Sequence, residues 1–236
     1  MRDYEGILRL INAVVYYSNT GQSRRVAQYF AEQTAFELSD IFDLSAYALD
    51  TAILVFPVHC QSVPDCVKDF LKRLTVKNLA VIATYGRMCF GNVLYYIQKH
   101  YAHNIVAAAY VPTKHSYLSE DGFDGWERLD PIITKLNDPS RVKIPKTYKN
   151  PLSDFCKRWR GRMGVKLYKD ERCNNCGACD SVCNNDAIKN GKPNRRCIRC
   201  LKCVNNCPQG ALHFALRLPM RVYLRKKKTD DLIIYV

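Results

Sequence analysis

The chain has 236 residues, 47% of them apolar, which is enough for two domains with packed cores. Its longest purely apolar stretches, such as Ile105 to Val111, are far too short to cross a bilayer, so no transmembrane segment is expected. The formal charge of +14 is unevenly spread: residues 1–140 hold 13 Lys/Arg against 15 Asp/Glu, residues 141–172 hold 11 against 3, and residues 173–236 hold 12 against 4.

Taken in chain order, Leu8 to Tyr17 reads LRLINAVVYY, a strand run. It leads into Ser18, Asn19, Thr20, Gly21, Gln22 and Ser23, after which Val26, Ala27, Phe30 and Ala31 recur at helical spacing. A strand, a hydroxyl-rich turn and a helix present unpaired N–H groups and a positive dipole end to an anion. Ser18, Thr20 and Ser23 can each offer O–H, and Gly21 permits close backbone approach. An ordinary helix cap uses the same residue types but needs one hydroxyl, not three. The turn is neither a Walker loop nor a dinucleotide fingerprint.

Thr51 to Val58 is a second strand, opening into a 57–64 loop that starts Pro57, Val58, His59. A helix follows through Val67, Phe70, Leu71 and Leu74. Leu79 to Thr84 is a third strand, and its loop runs through Tyr85 and Gly86 to Gly91 before a helix at Val93, Leu94, Tyr96 and Ile97. Ile105 to Val111 is a further strand. Strands alternating with helices imply a parallel sheet that binds ligands at the carboxyl ends of its strands. All three loops lie at such ends.

Residues 139–167, with Pro139, Pro145 and Pro151 among many cations, read as a basic linker with a helix near Leu152–Arg160 or as a polybasic docking arm. The basic half suits an acidic partner protein. No nucleic-acid motif accompanies it, and a solvated face without a specific partner accounts for the same charge. Near the end, Met220 to Leu224 and Leu232 to Val236 are strand-like runs around a basic turn, and they predict a terminal hairpin within 215–236.

Between them lie Cys173, Cys176, Cys179 and Cys183, then Cys197, Cys200, Cys203 and Cys207, each set reading C-x2-C-x2-C-x3-C, with Pro208 after the last. The N-terminus carries charges at Arg2, Asp3 and Glu5 with no apolar h-region, so the expectation is a chain without a secretory signal. Such a chain sits in the reducing cytoplasm, where thiols bind metal rather than pair. Zinc sites use two separated pairs per ion rather than unbroken triplets, whereas this spacing is that of a bacterial protein with two [4Fe-4S] clusters. Cys60, Cys66, Cys89 and Cys156 fall outside the pattern and read as ordinary buried thiols.

The cysteine runs resemble the two-cluster ferredoxins. Carried over, that resemblance implies one cluster on Cys173, Cys176, Cys179 and Cys207 and another on Cys197, Cys200, Cys203 and Cys183. Ala187-Ile188 and Ala211-Leu212 then stand where small apolar plugs dry the clusters, and Asn184 replaces the proline expected after Cys183. The first half resembles flavodoxin: Ser18 to Ser23 look like its phosphate loop, and Pro57, Val58, His59 and Thr84, Tyr85, Gly86, Gly91 fall where its two flavin loops stand. The order of the parts resembles the flavodoxin–ferredoxin fusions of anaerobes, the EFR1 family ferredoxins. The resemblance implies an α/β, flavodoxin-like three-layer parallel sheet at 1–138 that binds FMN. A small α+β ferredoxin-like domain with two [4Fe-4S] clusters follows at 168–214. It implies an electron carrier that passes electrons to an acidic redox partner. Two alternatives stand beside it: a flavin-dependent reductase with Tyr85 or His59 as acid, and a ferredoxin on a flavin-free scaffold. The sequence does not give an oligomeric state.

Overall fold

The computed structural model describes residues 11–44, 48–119, 121–151, 157–226 and 228–236, with the backbone alone at 157–160. The start of the first predicted strand (8–10), Cys156 and the first half of the linker helix lie outside the described residues. The first half of the chain gives β1 (Ile11–Tyr16), α1 (Gln22–Thr34), β2 (Glu37–Asp40), β3 (Ala48–Pro57), α2 (Asp65–Arg73), β4 (Thr75–Tyr85), α3 (Val93–His100), β5 (Ile105–Pro112) and α4 (Asp130–Asn137). The second half gives α5 (Lys157–Gly164), β6 (Val165–Lys169), α6 (Ala178–Ser181), β7 (Ile188–Lys189), β8 (Lys192–Pro193), α7 (Lys202–Asn205), β9 (Leu212–Leu216), α8 (Leu218–Leu224) and β10 (Ile233–Tyr235).

The main sheet has the order β10-β5-β4-β3-β1-β2, parallel except for β10. Strands one to five thus follow the flavodoxin-like order, with its switch point between β1 and β3. All eight residues of β5 are buried, as expected of a parallel strand covered on both faces. Alternate residues feed two cores. Val14, Ile53, Val55 and Ile82 pack with Val26, Phe30 and Ile132 on the α1/α4 side. Val15, Leu54, Phe56 and Val81 pack with Val67, Phe70 and Leu94 on the α2/α3 side.

The linker is pinned to this sheet. Val142 N–H donates to Ile105 O (2.9 Å), Gln98 Nε2 to Val142 O (2.7 Å), Ile144 N–H to Gln98 Oε1 (3.0 Å) and Asn150 N–H to Gln61 Oε1 (2.9 Å). It therefore climbs from the start of β5 to the loop after β3, along α3, rather than standing free as a docking arm. It delivers the second half of the chain to the carboxyl ends of the strands.

The predicted terminal hairpin does not form. Residues 218–224 are helical, with Pro219 in the first turn where its missing N–H costs nothing. The last run leaves that neighbourhood and adds to the main sheet as β10, antiparallel to β5, with Ile233 opposite Tyr110 and Tyr235 opposite Ala108. An unpaired sheet edge offers a strand more backbone bonds than a short hairpin does. The cysteine-rich segment is thus tied to the main sheet at both ends.

That segment has its own small core of Leu167, Ala187, Ile188, Leu201 and Leu212 with Cys179, Cys197 and Cys203. β6 and β9 pair antiparallel, Val165 with Leu216 through Lys169 with Leu212, and bracket both cysteine runs.

Candidate functional site

The loop after β1 is shaped by Gly21, which caps α1 in a left-handed conformation (φ 85°) and makes no side-chain cap. Its N–H donates to Ser18 Oγ at 3.1 Å. Thr20 makes no side-chain hydrogen bond among the described residues, and the first N–H groups of a helix have no partner within it. This donor set fits a phosphate. Ser23 does not join it: the residue is buried, its Oγ lies 2.8 Å from Thr84 Oγ1, and the pair struts the loop from beneath. Thr84, itself buried and 3.4 Å from Phe56 O, struts the loop in the same way.

Asn19 joins three parts. Tyr17 O–H donates to Asn19 Oδ1 (3.1 Å), and Asn19 Nδ2 meets His59 Nε2 at 3.1 Å. Burial holds the His59 imidazolium down to about 4, so the ring is neutral at neutral pH and can accept that bond. Val58 N–H donates to Thr84 O (2.7 Å), fixing Pro57 and Val58 beside β4. His59 and Ser62 exchange backbone bonds around Cys60 (φ 49°) and Gln61 (φ 62°), both left-handed. Such a tight turn without glycine costs roughly 1–2 kcal/mol per residue, supplied by the fold around it.

The glycines of the next loop serve contacts within the protein. A Cβ on Gly91 (φ 65°) would lie 2.7 Å from Gln61 O, and one on Gly86 would lie 2.7 Å from His115 Cδ2. The 57–64 and 85–91 loops therefore touch at Gln61 and Gly91, and both glycines serve contacts within the protein. Tyr85 has partners within the protein as well. It is buried, and its hydroxyl donates to Thr229 O (3.1 Å) and Asp231 O (2.8 Å), clamping the returning tail.

The eight cysteines fall into two groups in space. Cys183, Cys197, Cys200 and Cys203 line an open hollow of about 390 Å³ whose wall also includes Leu167, Lys202 and Asn19. Cys173, Cys176, Cys179 and Cys207 line another of about 300 Å³, with Pro208 and Leu212. All eleven cysteines among the described residues are free thiols. No three His, Cys, Asp or Glu side chains among those residues converge tightly enough for a single metal ion.

The two runs repeat in backbone as well as sequence, 24 residues apart. Asn175 and Arg199, Gly177 and Leu201, and Asp186 and Gly210 are all left-handed. The Ala187 N–H donates to Cys183 Sγ and the Ala211 N–H to Cys207 Sγ, each at 3.3 Å. Burial pushes the Cys200 thiol up to about 11 and Cys203 to about 12. Burial opposes ionisation at Cys207 too, but backbone N–H groups from Ala211, Leu212 and Gln209 outweigh it and hold that thiol low. Buried thiols of this kind become thiolates against metal, with release of protons. Hollows, four thiols each and N–H···S bonds fit iron–sulfur cubes.

The sequence reading missed Tyr117, which follows β5 at a fourth strand end. Its hydroxyl donates to Arg199 O at 2.7 Å, and its ring packs on the small core near Phe214 (5.9 Å). The carboxyl-end rule that selected the other loops would have selected this one, since Thr113 to Tyr117 directly follows a recognised strand.

Residues 194–213 match the family model of the 4Fe-4S binding domain, a window that holds the second cysteine run and not the first. No curated protein matches the chain. Two solved structures are similar in part. A candidate flavoprotein from Bacteroides uniformis is 16% identical, with a TM-score of 0.40 over 53% of this chain and 98% of that one. The Trp repressor binding protein from Bacillus subtilis is 15% identical, with a TM-score of 0.32 over 52% of this chain and 92% of that one. By the matched window the chain carries a 4Fe-4S binding domain, set on an α/β parallel-sheet unit.

Proposed function

We propose that this protein is an electron carrier that moves electrons between FMN and two [4Fe-4S] clusters and on to a redox partner. One observation carries the reading: Asn19, in the phosphate-type loop, is part of the same wall as Cys183, Cys197, Cys200 and Cys203. A cluster bound there lies beside the carboxyl ends of the sheet strands, where a doubly wound fold binds its ligand. Thr20, Gly21 and the first turn of α1 would hold the FMN phosphate. Each cysteine group would hold one cluster. FMN supplies exchange between one- and two-electron steps, and the clusters supply one-electron transfer. The residues of this chain supply orientation, dryness and N–H donors to sulfur.

A flavin reductase acting on a small substrate is less well supported. His59, held down to about 4 by burial, has no proton to give at neutral pH, and the Tyr85 hydroxyl is committed to the tail. The test is the flavin, iron and sulfide content after anoxic purification. One FMN with about eight irons and eight sulfides per chain is expected. Eight irons without flavin would remove the flavin half of the reading.

A further inference from the structure

The two cysteine hollows are built alike but charged differently. Beside the hollow of Cys183, Cys197, Cys200 and Cys203, Lys202 lines the wall and donates to Asn184 Oδ1 at 3.1 Å. Arg199, which precedes Cys200, is 9% exposed. Its Nε donates to Val165 O (3.1 Å), while its Nη1 is buried without a hydrogen-bond partner. A buried guanidinium with no ion-pair partner among the described residues keeps most of its field. The sequence has no Asp or Glu between Asp186 and Asp230, although the Asp40 carboxyl at the end of β2 lies within electrostatic reach of Lys202, which leaves Arg199 as the uncompensated cation.

The other hollow has no cation in its wall, although Lys169 Nζ donates to Asn175 Oδ1 on that wall at 2.8 Å, so the lysines at the two sites are matched and the contrast lies in Arg199 and Asp180. The Asp180 carboxylate lies 3.1 Å from Cys179 Sγ. Arg172, next to Cys173, is neutralised by two bonds to Asp170, at 3.0 and 2.7 Å. The rim here is also open: Cys176 is exposed, and nothing lies within 4 Å of where a Cβ on Gly177 would point.

An added electron is a negative charge, so a neighbouring cation favours it and a neighbouring carboxylate opposes it. We infer that the site of Cys183, Cys197, Cys200 and Cys203 is the more easily reduced of the two, and that electrons enter at the open Cys173–Gly177 rim. This rests on the two-cluster reading above. The donor is a one-electron carrier of low potential. It is oxidised by one electron as the outer site is reduced by one, and the same electron then moves downhill to the inner site beside Asn19. No bond or proton changes hands.

At an effective dielectric near 20, one unit charge at roughly 10 Å changes such an equilibrium by about tenfold or more. The experiment is a potentiometric titration of the full chain followed by low-temperature EPR, after iron content has been measured. Two one-electron steps are expected. Arg199→Gln should lower the upper step alone by about tenfold, which is about 59 mV for one electron. Asp180→Asn, which keeps the acceptor for the Asn190 N–H (2.9 Å), should raise the lower step alone. If Arg199→Gln does not fold, Asp180→Asn decides by itself. A shift of the wrong step, or no shift with about eight irons retained, overturns the ordering. A wild-type protein that holds only about four irons overturns the two-cluster reading, and the ordering with it.

Discussion

Tyr85→Phe separates a structural role for this residue from a chemical one. The ring stays, edge-on to Phe90 with centroids 5.2 Å apart, and only the hydroxyl is lost. That hydroxyl donates to Thr229 O and Asp231 O, in the segment that leads into β10. A hydrogen bond of this kind is worth about 1 kcal/mol net, rising toward 2 where a carbonyl is left dry. Thr229 and Asp230 have second attachments, since Thr229 N–H donates to Arg87 O (2.7 Å) and Asp230 pairs with Arg87 (2.7 Å). The loss should therefore stay near the lower figure. About 1 kcal/mol corresponds to roughly fivefold faster amide exchange if the tail opens locally. Hydrogen exchange read by mass spectrometry should show that acceleration in peptides covering 229–235 and not in β3 or β4. Unchanged exchange in the tail, together with an altered flavin spectrum, would refute the clamp and return Tyr85 to the ligand site.

Other consequences are open to direct measurement. Gly91→Ala places a Cβ 2.7 Å from the Gln61 carbonyl at a positive φ, so a loss of about 2 kcal/mol or more is expected in a denaturant titration; a neutral result would mean the two loops do not touch. His59 titrates near 4 in the fold against 6.5 unfolded. Its contribution to stability is therefore complete above pH 6.5 and falls away as the pH drops toward 4, by about 1–3 kcal/mol. His59→Gln should flatten that part of a urea-midpoint profile against pH, and superimposable profiles would count against burial of the ring. Cys203→Ala and Cys179→Ala should each lower iron by about four per chain; wild-type iron in either variant contradicts the grouping of thiols.

The parts legible in the sequence were those written in spacing. The apolar runs of β3, β4 and β5 are continuous because each strand is covered on both faces, and a continuous run needs no partner to be recognised. The cysteine steps were legible for the same reason. β2 escaped because it reads ELSD: a half-exposed edge strand needs no apolar face and leaves no period. α4 carried a usable signal that was passed over, Ile132, Ile133 and Leu136 following Pro131 at the helix start. Ser23, Thr84, Gly86 and Gly91 stand out in the sequence as special residues, but the protein neighbours they meet do not. A buried hydroxyl pair and a backbone contact across loops depend on what the fold brings opposite, and no local pattern encodes that. The tail failed likewise, since β10 pairs with a strand more than 120 residues earlier in the chain.

That long-range pairing changes how the cysteine segment relates to the sheet. A domain on a free linker would meet the strand ends only part of the time, at an effective concentration set by the linker. Here the chain enters the segment along residues 142–150, bound to Ile105, Gln98 and Gln61, and leaves it through Thr229 and Asp231 to Tyr85 and β5. Tyr117 adds a third attachment at Arg199. Moving the cysteine hollow away from Asn19 would break all three at once, and each attachment raises the cost of breaking the others. The proposed electron transfer would need a fixed distance across that gap more than contact residues of a particular kind. A strand that returns to the first sheet as β10 is one way for a single chain to hold such a distance.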